Sequence, residues 1–175
     1  MSLHAHSVLQ MSSMLRNLEG FLAKAVAFAE AKPMEVDALL NARLSPDMRP
    51  LTFQIQAACD AAKFAGARLA GVEAPSHPDT EETLAQLRSR IAAVLEYLAG
   101  LDAEAVNAGA DRDVRLGFLP GKVLRGEDYL RQLALPNFYF HVTTAYALLR
   151  ATGVAIGKQD FITELNLRDD EAAQS

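Results

Sequence analysis

Four histidines and one cysteine are the side chains in this chain best suited to acid–base, nucleophilic or metal chemistry. Their spacing limits what they can do. His4 and His6 stand two residues apart, on different faces of any helix, at a terminus where exposure and mobility are expected. His77 lies between Pro75 and Pro78 in a polar loop and reads as solvated. His141 differs: it falls three residues after Phe138 and four before Ala145, on the apolar face of the last helix. An imidazole there must find a hydrogen-bond partner or a metal. A core histidine bonded to a neighbouring side chain or carbonyl outweighs a ligand or a catalytic base, because metal ligands come in clusters. No His-x-x-x-His and no cysteine pair occurs in the sequence. Cys59 lies mid-helix beside Asp60, with nothing to lower its pKa, and reads as a buried, inert thiol.

The polar members of the second helix come next. Gln56 and Asp60 are four apart, with Lys63 near Asp60, and the simplest reading is a solvated, salt-bridged face. A sharper reading turns Gln54 or Asp60 toward His141, since a carboxylate or amide that orients an imidazole is the usual partner of a working histidine. The densest aromatic patch is Phe138-Tyr139-Phe140, followed by Tyr146; only part of it can be core, and the rest could line a pocket or a dimer surface. The candidate catalytic residues are therefore His141, Asp60 and Tyr146, and the candidate ligand-binding residues Gln54, Asn137 and His141. No metal ligand set is assigned. Residues 153–158, Gly-Val-Ala-Ile-Gly-Lys, lack the strand and helix that a phosphate loop needs.

Amphipathic helices must position these residues. Val8, Met11, Leu15, Leu18, Leu22, Val26 and Ala29 form one stripe, predicting a helix over 7–31 that Pro33 ends. A short helical piece is expected over 35–41. Two prolines then mark a connection, with Pro50 in the first turn of the next helix and Asp47 near its cap. Helix two reads over 50–70 on Leu51, Ile55, Ala58, Ala62, Ala65 and Leu69, with Phe53, Ala57 and Phe64 on a flanking face and Gly71 as the stop. Helix three reads over 81–101, capped by Asp79 or Thr80; Arg88 and Arg90 alternate with its leucine stripe and are expected in solvent. Around 114–124 the period changes to alternation about a Pro-Gly turn, predicting a small hairpin. The last helix reads over 127–152, with a kink or break at Pro136. Phe161 and Ile162 are expected to dock on the bundle, and the acidic end to fray after Leu167.

Composition bounds the rest. The chain has 175 residues, enough for one self-sufficient core without a disulfide or metal staple, and we expect one domain over 1–165 with a flexible acidic tail over 166–175. The formal net charge is −5, and the lysines and arginines are scattered, which argues against nucleic acid as a partner. No stretch reaches the 18 or so apolar residues of a membrane span, and no signal peptide is legible at the N-terminus. A single cysteine suits a reducing compartment, and the cytoplasm is the expected location. Four amphipathic segments with intervening loops predict an all-α four-helix bundle. The connections between helices one and two, and between three and four, are long enough to cross it.

Two blocks carry a resemblance: residues 42–48, ARLSPDM, with 50–71, PLTFQIQAACDAAKFAGARLAG; and residues 136–161, PNFYFHVTTAYALLRATGVAIGKQDF. They resemble an uncharacterised family of the DinB/YfiT-like superfamily. The resemblance implies an up-down-down-up bundle, often dimeric, so a homodimer is expected. Many members of that superfamily bind a divalent metal through one histidine on the second helix and two, four apart, on the last. Here the second helix has no histidine, and the last offers only His141, with Asn137 four before it and Ala145 four after. No cofactor is therefore expected, a divalent metal included. The expected function is a small-ligand-binding or dimeric interaction protein. The alternative is an enzyme, thiol transferase or hydrolase-like and with or without metal, whose site is built around His141 with Gln54, Asp60, Asn137 and Tyr146 as helpers.

Overall fold

Leucine, alanine and valine seams draw four long helices around one core. The computed structural model describes residues 2–169. The long helices are α1 (Gln10–Glu30), α2 (Leu51–Ala70), α3 (Leu84–Ala99) and α6 (Leu135–Ala151). Between α3 and α6 lie the short α4 (Ala103–Asn107), the strands β1 (Asp113–Arg115) and β2 (Val123–Arg125), and α5 (Gly126–Tyr129); α7 (Lys158–Phe161) follows α6. Both α1 and α2 pack against α3 and α6, so the order around the bundle is α1, α3, α2, α6. The consecutive pairs α1/α2 and α3/α6 thus sit on diagonals, and the two long connections make the crossings. No helix among the described residues is long and apolar enough to cross a membrane.

Several boundaries differ from the sequence reading, for local reasons. A π-helical turn, Ala5–Leu9, carries α1 back toward the N-terminus. It places His4 half-buried, its backbone N–H donating to Asn107 Oδ1 at 2.9 Å, and leaves His6 exposed. Residues 36–41 form a 3₁₀ helix that buries Leu39 and Leu40. Pro50 is the N-cap of α2 rather than its first-turn residue, and Asp47 bonds Ser45 instead of capping. Thr83 caps α3 in a reciprocal box with Gln86, displacing Asp79 and Thr80 from that role. Asp37 Oδ1 also accepts from the Leu84 N–H at 2.7 Å. Gly71, at φ 73°, ends α2 as expected.

Pro136 does not break the last helix. A π-helical turn over Leu130–Ala134 joins α5 to α6, with the Leu135 N–H reaching back five residues to the Leu130 carbonyl. That wider turn displaces the carbonyl that a proline ring would otherwise strike, so helical backbone continues to Ala151. Phe161 docks as expected, stacked on Phe21 at 6.1 Å, whereas Ile162 is exposed. Residues 166–169 are exposed and without regular structure; the rest of the predicted tail lies outside the described residues.

Helix α2 is the most enclosed element. Leu51 and residues 54–56, 58–59, 62–63, 65–67 and 69–70 are buried, while Thr52 and a stripe through Phe53, Ala57, Asp60, Ala61, Phe64 and Arg68 are half-covered. An Ala-rich helix with few charges fits a position surrounded on most sides. Two glycines press the following segment onto the end of α2: a Cβ at Gly109 would overlap the Leu69 carbonyl, and one at Gly126 the Gly109 carbonyl. This contact anchors the hairpin, in which Val114 pairs Leu124 and Val114 and Leu116 are buried, while Phe118 at its tip is 69% exposed.

The face expected to be solvated is buried instead. Lys63 is 1% exposed and Arg90 4%. Asp60 Oδ1 holds both, at 2.8 Å from Lys63 Nζ and 2.9 Å from an Arg90 Nη atom. Arg90 also meets Glu81 at 2.9 Å, Asp79 at 3.0 Å and the Pro78 carbonyl at 3.2 Å. Gln56 Nε2 donates to the other Glu81 oxygen at 2.9 Å. Arg88 is half-exposed and pairs with Glu19, as a surface arginine does. Burial alone would raise the Glu81 pKa, but the Gln56 and Arg90 hydrogen bonds outweigh it and hold the carboxyl below its ordinary range.

Removing one partner of a buried ion pair leaves the other charge uncompensated, which costs about 3–5 kcal/mol. Asp60→Ala is expected to destabilise toward the low end of that range, because the carboxylate is partly exposed. Asp113→Ala, in an exposed pair with Arg115, should change stability by less than about 1 kcal/mol. Urea unfolding of both variants checks this; equal stabilities would contradict the account of the network.

Candidate functional site

The half-covered stripe of α2 forms one wall of a groove of about 330 Å³. Phe53, Ala57, Ala61 and Phe64 supply its apolar length, and Phe118 of the hairpin tip stands at its edge. The facing wall comes from Tyr129, Leu133, Ala134 and Asn137. The π-helical turn is what lets Tyr129 and Ala134, five residues apart, share that wall. The cavity is apolar along its body with a few convergent polar groups, the ordinary form of a small-molecule site.

Arg68 occupies one end. Its guanidinium lies 5.0 Å from the Phe64 ring centroid and 5.5 Å from that of Tyr129, and Nη1 donates to the Tyr129 hydroxyl at 2.9 Å. No carboxylate among the described residues forms an ion pair with it. Burial raises the Tyr129 pKa, which Arg68 only partly offsets, so the phenol is uncharged at neutral pH. A half-buried guanidinium stacked on aromatic faces, with no carboxylate partner among the described residues, is prepared for an oxyanion. Toward the other end lie Gln56, Asp60 and Asp79, the outer side of the buried ion network.

The Gln54–His141 pair is a separate feature behind Phe53. His141 Nδ1 is 2.8 Å from Gln54 Oε1, and Gln54 Nε2 donates to the Arg49 carbonyl at 3.1 Å. The second bond fixes the amide, so its oxygen faces the ring and Nδ1 must carry the proton. Nε2 is then the basic nitrogen, without a hydrogen-bond partner among the described residues. Phe53 and Phe140 meet the imidazole edge-on, with centroids 5.9 and 5.2 Å away. Burial lowers the His141 pKa from its ordinary value, so the ring is neutral at pH 7.

The structure thus joins two of the sequence candidates and separates the others. Gln54 meets His141 as the sharper reading had it. Asp60 is turned to Lys63 and Arg90 instead, Asn137 lines the groove, and Tyr146 packs edge-on against Phe21 and Phe161, away from His141. Cys59 is buried beside the ion network, and burial pushes its thiol up to about 12, so no thiolate is available at neutral pH. His77 lies 3.4 Å from Lys63 Nζ rather than free in solvent. Sequence reasoning missed Arg68 and Tyr129. Arg68 lies four residues after Phe64 on the flanking aromatic face, and that spacing was the available signal.

The residues around His141 do not form a divalent-metal ligand set. Gln54 spends its oxygen on the imidazole N–H, Ala145 is buried and offers no donor, and Asn137 opens on the groove. Among the described residues no three His, Cys, Asp or Glu side chains gather at ligand distance.

Comparison with known proteins agrees with this architecture. A family described as a domain of unknown function, DUF1993, matches residues 3–162. No curated protein matches the chain. The crystal structure of a DinB family member from Shewanella denitrificans is similar at 44% identity and a TM-score of 0.92, over 96% of each chain. With an all-α, DinB-like bundle and a family match over nearly its whole length, the chain belongs to the DUF1993 family.

Proposed function

We propose that this protein binds a small organic anion in the groove between α2 and α6, with Arg68 as the anchor. One observation carries the reading: a half-buried guanidinium, held against Phe64 and Tyr129, faces a groove with apolar walls and has no carboxylate partner among the described residues. Such a cation recovers its lost solvation when an oxyanion arrives. Phe53, Ala57, Ala61 and Leu133 give the ligand body an apolar seat, and Phe118 covers it from the hairpin.

Isothermal titration with medium-chain and aryl carboxylates tests the proposal. Binding should weaken at least about tenfold in Arg68→Gln, which removes a charge-assisted bond worth roughly 1.5–3 kcal/mol. Phe140→Ala, on the exposed outer face, should leave the affinity unchanged. Unchanged affinity in Arg68→Gln, or no carboxylate bound at all, would remove this reading.

A second reading, an enzyme built on His141, draws on the fixed tautomer that leaves Nε2 as a base. Gln54 would then be a positioning residue. Nitrogen-15 NMR should show a neutral, Nδ1-protonated ring at pH 7 that titrates below the ordinary imidazole value. Gln54→Leu should remove that tautomer preference. A ring that titrates at or above the ordinary imidazole value, or one protonated on Nε2, would exclude the base role.

A further inference from the structure

We infer that the ligand of this groove is dipolar, an oxyanion at one end and an ammonium or similar cation at the other, joined by an apolar chain. The inference rests on the proposed anion site at Arg68 and adds the chemistry of the opposite end. The two ends are eight residues apart on one helix, about 12 Å along its axis. Arg68 belongs to the first end, Asp60 to the second.

The second end is rich in acceptors, with the Asn137 amide on the facing wall and the Arg49 guanidinium beyond it, 5.1 Å from the Phe53 centroid. Gln56 is 94% buried, as it is 6% exposed, and its Nε2 is used on Glu81. Its Oε1 has no hydrogen-bond partner among the described residues, yet it is not enclosed in protein, and Gln56 lines the groove. The amide oxygen is therefore free to accept from a donor in the cavity. Asp60 gives Oδ1 to both Lys63 and Arg90 and has Oδ2 left over. Asp79, exposed at the same end, gives one oxygen to Arg90.

The charge balance points the same way. Within the ion network Asp60, Asp79 and Glu81 face Lys63 and Arg90, one more negative charge than positive, while Arg49 stacks on Phe53 farther along. His77 does not cancel it: burial, with Lys63 and Arg90 nearby, lowers its pKa and keeps it neutral. An incoming ammonium would enter beside the Asp60 carboxylate and the Gln56 amide, both lining the groove and partly screened from water. Between the ends, Phe64, Ala61 and Ala57 offer nothing polar, which suits methylene or aromatic carbon.

Titration of the full chain with 8-aminooctanoate, octanoate and octylamine separates this inference from the reading beneath it. The amino acid should bind at least about tenfold more tightly than octanoate, and octylamine weakest. Asp79→Asn removes a surface carboxylate while Arg90 keeps Asp60 and Glu81, so the fold is retained. It should narrow the preference to under about threefold and leave octanoate affinity unchanged. Octanoate binding as well as 8-aminooctanoate would overturn the dipolar ligand and leave the anion site standing. Failure of both carboxylates to bind would overturn both.

Discussion

Lys63 and Arg90 lie inside a helical bundle whose interior cannot solvate a cation, so carboxylates had to be brought to them. Asp60 comes from α2, and Asp79 and Glu81 from the loop before α3. One set of bonds therefore fixes how α2, α3 and the 71–83 connection sit together. With the buried sides of α2 occupied by this network and by the apolar core, a single half-covered stripe remains. That stripe, from Phe53 to Arg68, is the wall of the groove.

The opposite wall depends on a second constraint, the backbone detour before Pro136. Proline excludes a regular turn at that point, and the π-helical turn that replaces it sets Tyr129 and Ala134 on the groove side by side. The tight seat of Gly109 and Gly126 on the end of α2 holds the hairpin close enough for Phe118 to reach the same cavity. Both features join a backbone peculiarity to the place where the molecule has chemistry to offer.

The long helices were legible in the sequence because their apolar stripes repeat every three or four residues over several turns. The buried charges were not. An arginine is expected in solvent by its type, yet Arg90 lies three residues after Leu87 and four before Val94 and so falls on the leucine stripe itself. Lys63 lies four after Cys59 on the same logic. Residue type outweighed position in that reading, and only the carboxylates from a distant loop make such positions tolerable. Gln54 and His141 could be paired in advance because a histidine on an apolar face needs a partner. For Arg68 the sequence offers only its spacing from Phe64; its significance lies in having no carboxylate partner among the described residues, which only the placed side chains show.

The central claim is that the half-covered stripe of α2 is the working surface of this protein. Amide chemical-shift mapping with a saturating medium-chain carboxylate tests it most directly. The account predicts the largest changes along residues 53–68 and 129–137. Changes centred instead on residues 141–151, or on the 157–165 segment against α1, would contradict it.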